Sequence, residues 1–456
     1  MGRISFMWRS RWSFMSAKAS LSSTRAATKD RTVASLLRFK ALYLAILLGG
    51  LWFWNGFDKD NFNDVDARWP REGGPIFASH FGTWDAAHYL YLSEVGYGKN
   101  MPSCAFYPLW PVLVRCFSVV TGGSHLVAGM VLANVFSLIA FGLFLQMVND
   151  RFDRSSAMLS LVFLLAFPGS LFFQFIYSEG LFFLLLMVLW WNLERRRYAI
   201  AWGAAFLLPI SRAVGLFCLF PIAWHLVTKE PPAWILGGAG RFRRLRRIGG
   251  MSQLAEREEL PELLMTTTPG RQREEARSEI RGKSNLVPSA ATGWAWWLLL
   301  APFLGWTCYL ALMWHWAGNP LEGFEAQKHW RVHSISNLWN VPKFVIGWFD
   351  VTSWHAFTGS VLDRCVFVLL LYCLPVIWRL DKGLFVWAWV LGVMPAMSGT
   401  FTSFTRFASV AFPMFIALGV FLSKPERRLV RWGLLTVFIV LHLVLVWRFV
   451  NFRWAG

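Results

Sequence analysis

Long apolar runs separated by short clusters of charge recur along the chain. They fall near 41–56, 125–148, 157–176, 178–193, 198–210, 213–228, 293–317, 361–379, 383–398, 405–422 and 430–450. A helix that crosses a bilayer needs about 20 predominantly apolar residues. Several of these runs are shorter, which predicts tilted, broken or re-entrant segments among them. The pattern predicts an all-α polytopic membrane protein with about 11 transmembrane helices. Two long loops, 57–124 and 318–360, lie on one side, and the first is large enough to hold short interfacial helices.

Composition agrees with this reading. Of the 456 residues 56% are hydrophobic and only 16% charged, against about 25% charged in a soluble domain. One soluble core would leave too much apolar area in water, and the chain is neither disordered nor a small disulfide scaffold. The 28 Trp residues suit membrane–water interfaces. Six cysteines (Cys104, Cys116, Cys218, Cys308, Cys365 and Cys373) show no metal-ligand spacing and no disulfide framework.

The formal net charge of +19 would suggest nucleic acid in a soluble protein. Here the basic residues flank apolar runs, where they set orientation, and no nucleic-acid partner is expected. Residues 1–40 carry nine Lys and Arg and a single acid, Asp30, and are expected to form a cytoplasmic basic tail. Arg151 and Arg154, Arg195 to Arg197, Arg379 with Lys382, and Lys424 with Arg427 and Arg428 fall on the same side, as does the charged loop 229–292. The domain layout follows: tail 1–40, N-terminal membrane module 41–228, cytoplasmic loop 229–292 and C-terminal module 293–456. Loop 57–105 holds seven acids and four bases, so loops 57–124 and 318–360 are expected on the exterior, periplasmic or luminal face.

The candidate chemistry lies in that first loop. Thr83 is placed to cap a short helix beginning at Trp84, with Asp85 in its first turn, where the helix dipole favours a carboxylate. His88 and Tyr89 follow at helical spacing on the same face. An acid beside aromatic residues at a membrane edge is costly unless it is used, although a cap or an ion-pair partner is the plainer reading. Asp64-Val65-Asp66 is a D-x-D on the exterior side, with no strand–helix alternation around it, and reads as a solvated acidic loop. His329 and His333 are at i, i+4 but lack the H-E-x-x-H context, so no metal site and no cofactor are assigned.

Trp84-Asp85-Ala86-x-His88-Tyr89-Leu90, Gly96-Tyr97 and Ala105-Phe106-Tyr107-Pro108-Leu109-Trp110-Pro111 together resemble the first luminal loop of the PIG-V family, the GPI mannosyltransferase 2-like enzymes and their bacterial relatives. The chain departs from the family pattern at Leu92-Ser93, Tyr107 and Trp110, none of which is the acid. Phe167-Pro168-Gly169-Ser170 through Tyr177-Ser178-Glu179-Gly180-Leu181-Phe182, Ser211-Arg212-Ala213-Val214-Gly215, Gln327-Lys328-x-Trp330 and Arg406 extend the resemblance in order along about 330 residues.

The resemblance implies a GT-C-type membrane glycosyltransferase that moves a sugar, mannose, from a polyprenyl- or dolichyl-phosphate donor to a glycan, glycolipid or protein hydroxyl. An inverting single displacement needs a base, for which Asp85 is implied, and cations for the departing phosphate. Arg212 and Arg406 are the implied cations, with Lys328 and Arg331 as substitutes. Trp84, His88, Tyr89, Tyr107, Glu179, Gln327 and Trp330 are the remaining substrate-binding candidates. A transporter or lipid flippase is the alternative, but no inverted repeat supports it. The chain contains no Asn-x-Ser/Thr sequon, which fits a bacterial cytoplasmic membrane better than the endoplasmic reticulum.

Overall fold

The computed structural model describes residues 34–53, 58–231, 295–330, 340–399 and 401–456. Most of the expected basic tail, loop residues 232–292, Arg331 and His333 lie outside the described residues. Regular structure within the described residues is helical, with a lone bridge between Ser353 and Ser360.

Helix α1 (Ala34–Phe53) begins ahead of its apolar run. It can extend through a charge because the Lys40 ammonium is buried and fully coordinated by oxygen. Nζ donates to Gln174 Oε1 at 2.6 Å, Ser137 Oγ at 2.8 Å, the Phe173 carbonyl at 3.1 Å and Asn134 Oδ1 at 3.2 Å. Short helices α2 (Lys59–Asp64), α3 (Asp85–Glu94) and α4 (Leu109–Ser118) occupy the first long loop. Helix α5 (His125–Arg151) is capped by Ser124, and α6 (Arg154–Ala166) by Asp153, whose carboxylate accepts from the Ser156 N–H at 2.9 Å.

The apolar run at 157–176 does not make one helix. Pro168 excludes the α conformation for Phe167, so α6 stops at Ala166 and a 3-10 turn, Pro168–Phe173, re-enters the bundle. Helix α7 (Glu179–Glu194) and α8 (Tyr198–Ser211) follow, then a 3-10 segment Ala213–Cys218 and α9 (Leu219–Lys229). The second half comprises α10 (Leu300–Ala317), α11 (Glu322–Gln327), α12 (Val341–Phe349), α13 (Val361–Leu380) and α14 (Lys382–Ala388). A π-helical turn, Trp389–Val393, leads to α15 (Met394–Gly399), α16 (Phe404–Ala408), α17 (Phe412–Leu422) and α18 (Arg428–Val450).

Among the described residues five helices are long and apolar enough to cross a membrane: Ala34–Phe53, His125–Arg151, Trp296–Ala317, Val361–Leu380 and Pro425–Val450. Shorter apolar helices pack between them. Large apolar side chains cover the outer faces, with Phe53 89% and Leu429 88% exposed. In water such faces would demand a partner, whereas in a bilayer they meet lipid. The protein is an integral membrane protein.

Close helix contacts depend on missing side chains. A Cβ at Gly419 of α17 would sit 2.0 Å from Ser160 Oγ of α6, and one at Gly305 of α10 would sit 2.0 Å from the Phe206 carbonyl of α8. Where α5 begins, α8 ends and α18 ends, the short helices of the first loop close over the bundle.

Candidate active site

Asp85, Glu179, Arg212 and Arg406 come from four separate elements and meet at that closed end. Arg406 is the hub. Its Nε donates to Glu179 Oε1 and its Nη1 to Asp85 Oδ2. Arg212 Nη1 donates to the same Glu179 oxygen at 2.7 Å. Glu179 is fully buried at the first position of α7, where the free backbone N–H groups favour a carboxylate. Its burial is supported by two guanidinium groups, which a lone carboxylate in an apolar setting would require. The Arg406 guanidinium also lies over the Tyr177 ring, 4.6 Å from its centroid.

Strained backbone positions precede the helices that carry Asp85 and Arg406. Trp84, the residue before α3, sits at φ 57°, ψ −136° and makes no side-chain cap. Thr83 therefore does not cap this helix, and α3 starts at Asp85 rather than at Trp84. The Trp84 N–H donates to the Ala67 carbonyl at 2.9 Å, and its ring packs edge-on against Trp454 with centroids 5.2 Å apart. Ser403, which precedes α16, is likewise left-handed at φ 55°. Such conformations cost roughly 1–3 kcal/mol each in non-glycine residues and persist where surrounding structure enforces them. Gly169 permits the second approach: a Cβ there would come 2.1 Å from the Thr405 carbonyl, next to Arg406.

The network opens on a cavity of about 480 Å³. Asp85, Arg212 and Arg406 line it, while Glu179 lies behind the two arginines. Asp85 retains 22% side-chain exposure and Arg212 12%. Trp84, His88, Tyr89, Tyr107, Gln327 and Trp330 are also in its wall. Tyr89 shares a 3.0 Å hydrogen bond with Ser178, the residue before Glu179, and Tyr107 stacks on Tyr309 at 4.6 Å. Trp330 reaches the first loop from the far side of α11, and its Nε1–H donates to Asp66 Oδ2 at 2.8 Å. Lys328 is not in the cavity wall.

His88 is held between neighbours. Its Nδ1 lies 2.8 Å from Ser103 Oγ, and its ring stacks on Phe106 at 4.7 Å and meets Trp330 edge-on. Burial pushes its pKa below the usual imidazole value, partly countered by the Asp85 charge. A neutral imidazole can donate or accept a hydrogen bond according to tautomer.

The far side of the cavity is apolar. Val214 and Phe217 come from the 3-10 segment after α8, and Leu391 comes from the π-helical turn. Irregular helical turns of this kind recur at functional sites.

Among the wall residues that sequence reasoning missed, Asp66 and Trp454 stand out. Asp66, dismissed as part of a solvated loop, lines the cavity and anchors Trp330. Trp454 follows the last helix and folds back into the wall, with its carbonyl accepting from Arg448 Nε at 2.7 Å. An aromatic residue after a final span reads as an interfacial anchor, and nothing in its spacing points to a site.

Residues 76–230 match the family model described as Mannosyltransferase (PIG-V). That segment holds Asp85, Glu179 and Arg212. No curated protein matches the chain. Among solved structures the chain is similar to the Archaeoglobus fulgidus oligosaccharyltransferase tethered with an acceptor peptide, with 12% identity and a TM-score of 0.40, covering 93% of this chain and 55% of that one. It is also similar to AglB from the same organism in complex with an inhibitory peptide and a dolichol-phosphate, with 13% identity and a TM-score of 0.42, covering 92% of this chain and 55% of that one. The chain thus spans about half the length of the solved proteins it is similar to.

Proposed function

From the PIG-V mannosyltransferase match over residues 76–230, we propose that this protein is a membrane glycosyltransferase of the GT-C type that transfers mannose from a polyprenyl- or dolichyl-phosphate donor to an acceptor hydroxyl. The observation that carries the reading is a carboxylate and two guanidinium groups on one cavity, with Asp85 and Arg406 in contact. Base and phosphate-binding cations are the two components that inverting transfer from a phospholipid sugar needs.

In this reading the acceptor oxygen attacks the anomeric carbon as the bond to the phosphate oxygen breaks. The acceptor proton passes to the Asp85 carboxylate. The lipid phosphate leaves with its new charge facing Arg212 and Arg406, whose fork of N–H donors suits phosphate oxygens. Arg212 uses Nη1 on Glu179, which leaves further N–H donors for the phosphate. Glu179 holds both guanidinium groups in place and is a positioning residue. The apolar wall of Val214, Phe217 and Leu391 suits the first isoprene units. The first and second long loops then face the exterior, with residues 1–40 and 229–292 on the cytoplasmic side. The modules 41–228 and 293–456 each contribute one phosphate-binding arginine.

The test uses purified protein in lipid vesicles with β-linked mannosyl-phosphoundecaprenol labelled in the sugar, together with a lipid and glycan extract of the source membrane as acceptor. Wild type is expected to release the label from the lipid with α configuration in the product. Asp85→Asn is expected to slow release by about 10²–10⁴-fold while remaining folded. Wild type that leaves the lipid intact, or an Asp85→Asn protein with full turnover, contradicts the reading. A transporter would keep its flux in that variant.

A further inference from the structure

A second cavity of about 530 Å³ adjoins the first and shares Asp66, Ala67 and His88 with it. Its character is different. The first cavity is largely apolar and aromatic away from the charge network. The second mixes polar residues, Asn63, Asp66, Arg68, Arg71, His88 and Tyr91, with apolar ones such as Val65 and Met101.

Two guanidinium groups set its charge. Arg68 donates from Nη1 to Asn63 Oδ1 at 3.0 Å, and Arg71 lies over the Tyr91 ring. Neither makes an ion pair among the described residues, whereas both arginines of the neighbouring cavity, Arg212 and Arg406, do. Asp66, the acid in this wall, is occupied by Trp330 Nε1 through Oδ2 and by His329 at 4.0 Å through Oδ1. The cavity wall therefore carries two guanidinium charges against the single carboxylate of Asp66, with the Asn63 amide beside them and Arg71 stacked on Tyr91. Guanidinium groups of this kind recognise carboxylate or phosphate oxygens, and the Asn63 amide can hydrogen-bond a saccharide hydroxyl.

The shared wall gives the cavity a direction. His88 lies one turn beyond Asp85 on α3 and borders both cavities. A ligand seated among Arg68, Arg71 and Tyr91 can thus present a hydroxyl past His88 toward Asp85. Val214, Phe217 and Leu391, the apolar wall assigned to the isoprenoid chain, are not among the residues of this second cavity.

We propose that this second cavity is the acceptor subsite and that the acceptor is an anionic saccharide, bearing a phosphate or a carboxylate that Arg68 and Arg71 hold. The assignment rests on the transferase reading above. It specifies what that reading leaves open, the chemical class of the acceptor.

The experiment measures binding to the full-length protein in nanodiscs by saturation-transfer NMR. The probes are mannose 6-phosphate and glucuronate as the two anionic arms and methyl α-mannoside as the neutral one. Undecaprenyl phosphate binding is followed on the same samples. Both variants, Arg71→Ala and the double variant Arg68→Ala/Arg71→Ala, change residues at the cavity rim, and Arg71 is exposed. Anionic probes are expected to bind wild type, and the double variant to bind them at least about tenfold more weakly, equivalent to roughly 1.4 kcal/mol. The neutral probe and undecaprenyl phosphate are expected to be unchanged by either variant. Preference between the two anionic arms identifies phosphate or carboxylate as the recognised group. Neutral and anionic probes bound equally, or anionic binding that survives the double variant, overturns the inference. Undecaprenyl phosphate bound without any sugar probe defeats the inference alone, while failure of undecaprenyl phosphate itself to bind counts against the transferase reading.

Discussion

Two buried cations in this protein are treated in opposite ways. Lys40 is surrounded by a hydroxyl, two side-chain amides and a carbonyl, and no acid among the described residues pairs with it. Arg406 meets two carboxylates and borders an open cavity. The first arrangement uses up every N–H of the ammonium on neutral oxygens and closes over it. It pins α1 to α5 and to the end of the 3-10 turn Pro168–Phe173, through Phe173 and the following Gln174. The second leaves guanidinium N–H groups and a partly exposed carboxylate facing a space that a ligand can fill. Burial alone does not mark a site; unused hydrogen-bonding capacity beside a cavity does.

Removing Arg406 should break this contrast most severely. Arg406→Ala leaves Glu179 and Asp85 without their shared partner, and loss of one member of a buried ion pair typically costs about 3–5 kcal/mol. Thermal unfolding should show that loss together with absent sugar transfer. Arg406→Lys should recover little of either, because a single ammonium does not reproduce the fork that reaches both carboxylates. Full stability in Arg406→Ala would separate the network from the fold.

Arg212 should divide binding from folding more cleanly, since Glu179 keeps Arg406 when it is removed. Arg212→Ala is expected to weaken donor use by about tenfold or more, in line with roughly 1.5–3 kcal/mol for a hydrogen bond to a charged group. The change should appear in the KM for the lipid donor. A fall in kcat alone would place Arg212 in positioning rather than in phosphate contact.

Lys40→Met tests the other side of the comparison. It strands a set of buried oxygens, and each unsatisfied group costs about 1–3 kcal/mol, so the melting temperature should fall. The kcat of the surviving folded protein should stay within a fewfold of wild type. A loss of kcat matching that of Asp85→Asn would show Lys40 to be part of the chemistry.

The smallest effect concerns pH. The His88 pKa is lowered by burial, so the folded state resists protonation more than the unfolded chain does. The associated stability is present above the unfolded value of about 6.5 and is lost as pH falls through the lowered one. His80 is shifted in the same direction, and His355 is pushed down to about 4, both by burial. His88→Gln should therefore flatten part, and only part, of the acid limb of stability. An unchanged limb would assign it to the other buried histidines.

The helical class and Asp85 were legible in the sequence for physical reasons, whereas Glu179, Arg212 and Arg406 were found only through the family resemblance. Apolar runs of spanning length are conspicuous, and a carboxylate in the first turn of a short helix is unusual beside so many aromatic residues. Helix interruptions were only partly legible. Pro168 signals the break after α6, but the π-helical turn at Trp389–Val393 carries no local signature. Lys40 looked like the end of a basic tail because hydropathy cannot foresee that Asn134, Ser137 and Gln174 converge on it. Asp66 and Trp454 were missed for a related reason. Their roles depend on Trp330 crossing from the second loop and on the chain folding back after α18, both of which are tertiary events.

The claim that one cavity separates a proton acceptor from a phosphate clamp is tested most directly by undecaprenyl phosphate affinity in detergent-free nanodiscs for wild type, Asp85→Asn and Arg212→Ala. The account expects Asp85→Asn to bind at least as tightly as wild type, since a negative charge facing the phosphate is removed, and Arg212→Ala to bind about tenfold more weakly or worse. Equal affinity across all three proteins, or weakened binding confined to Asp85→Asn, would contradict it.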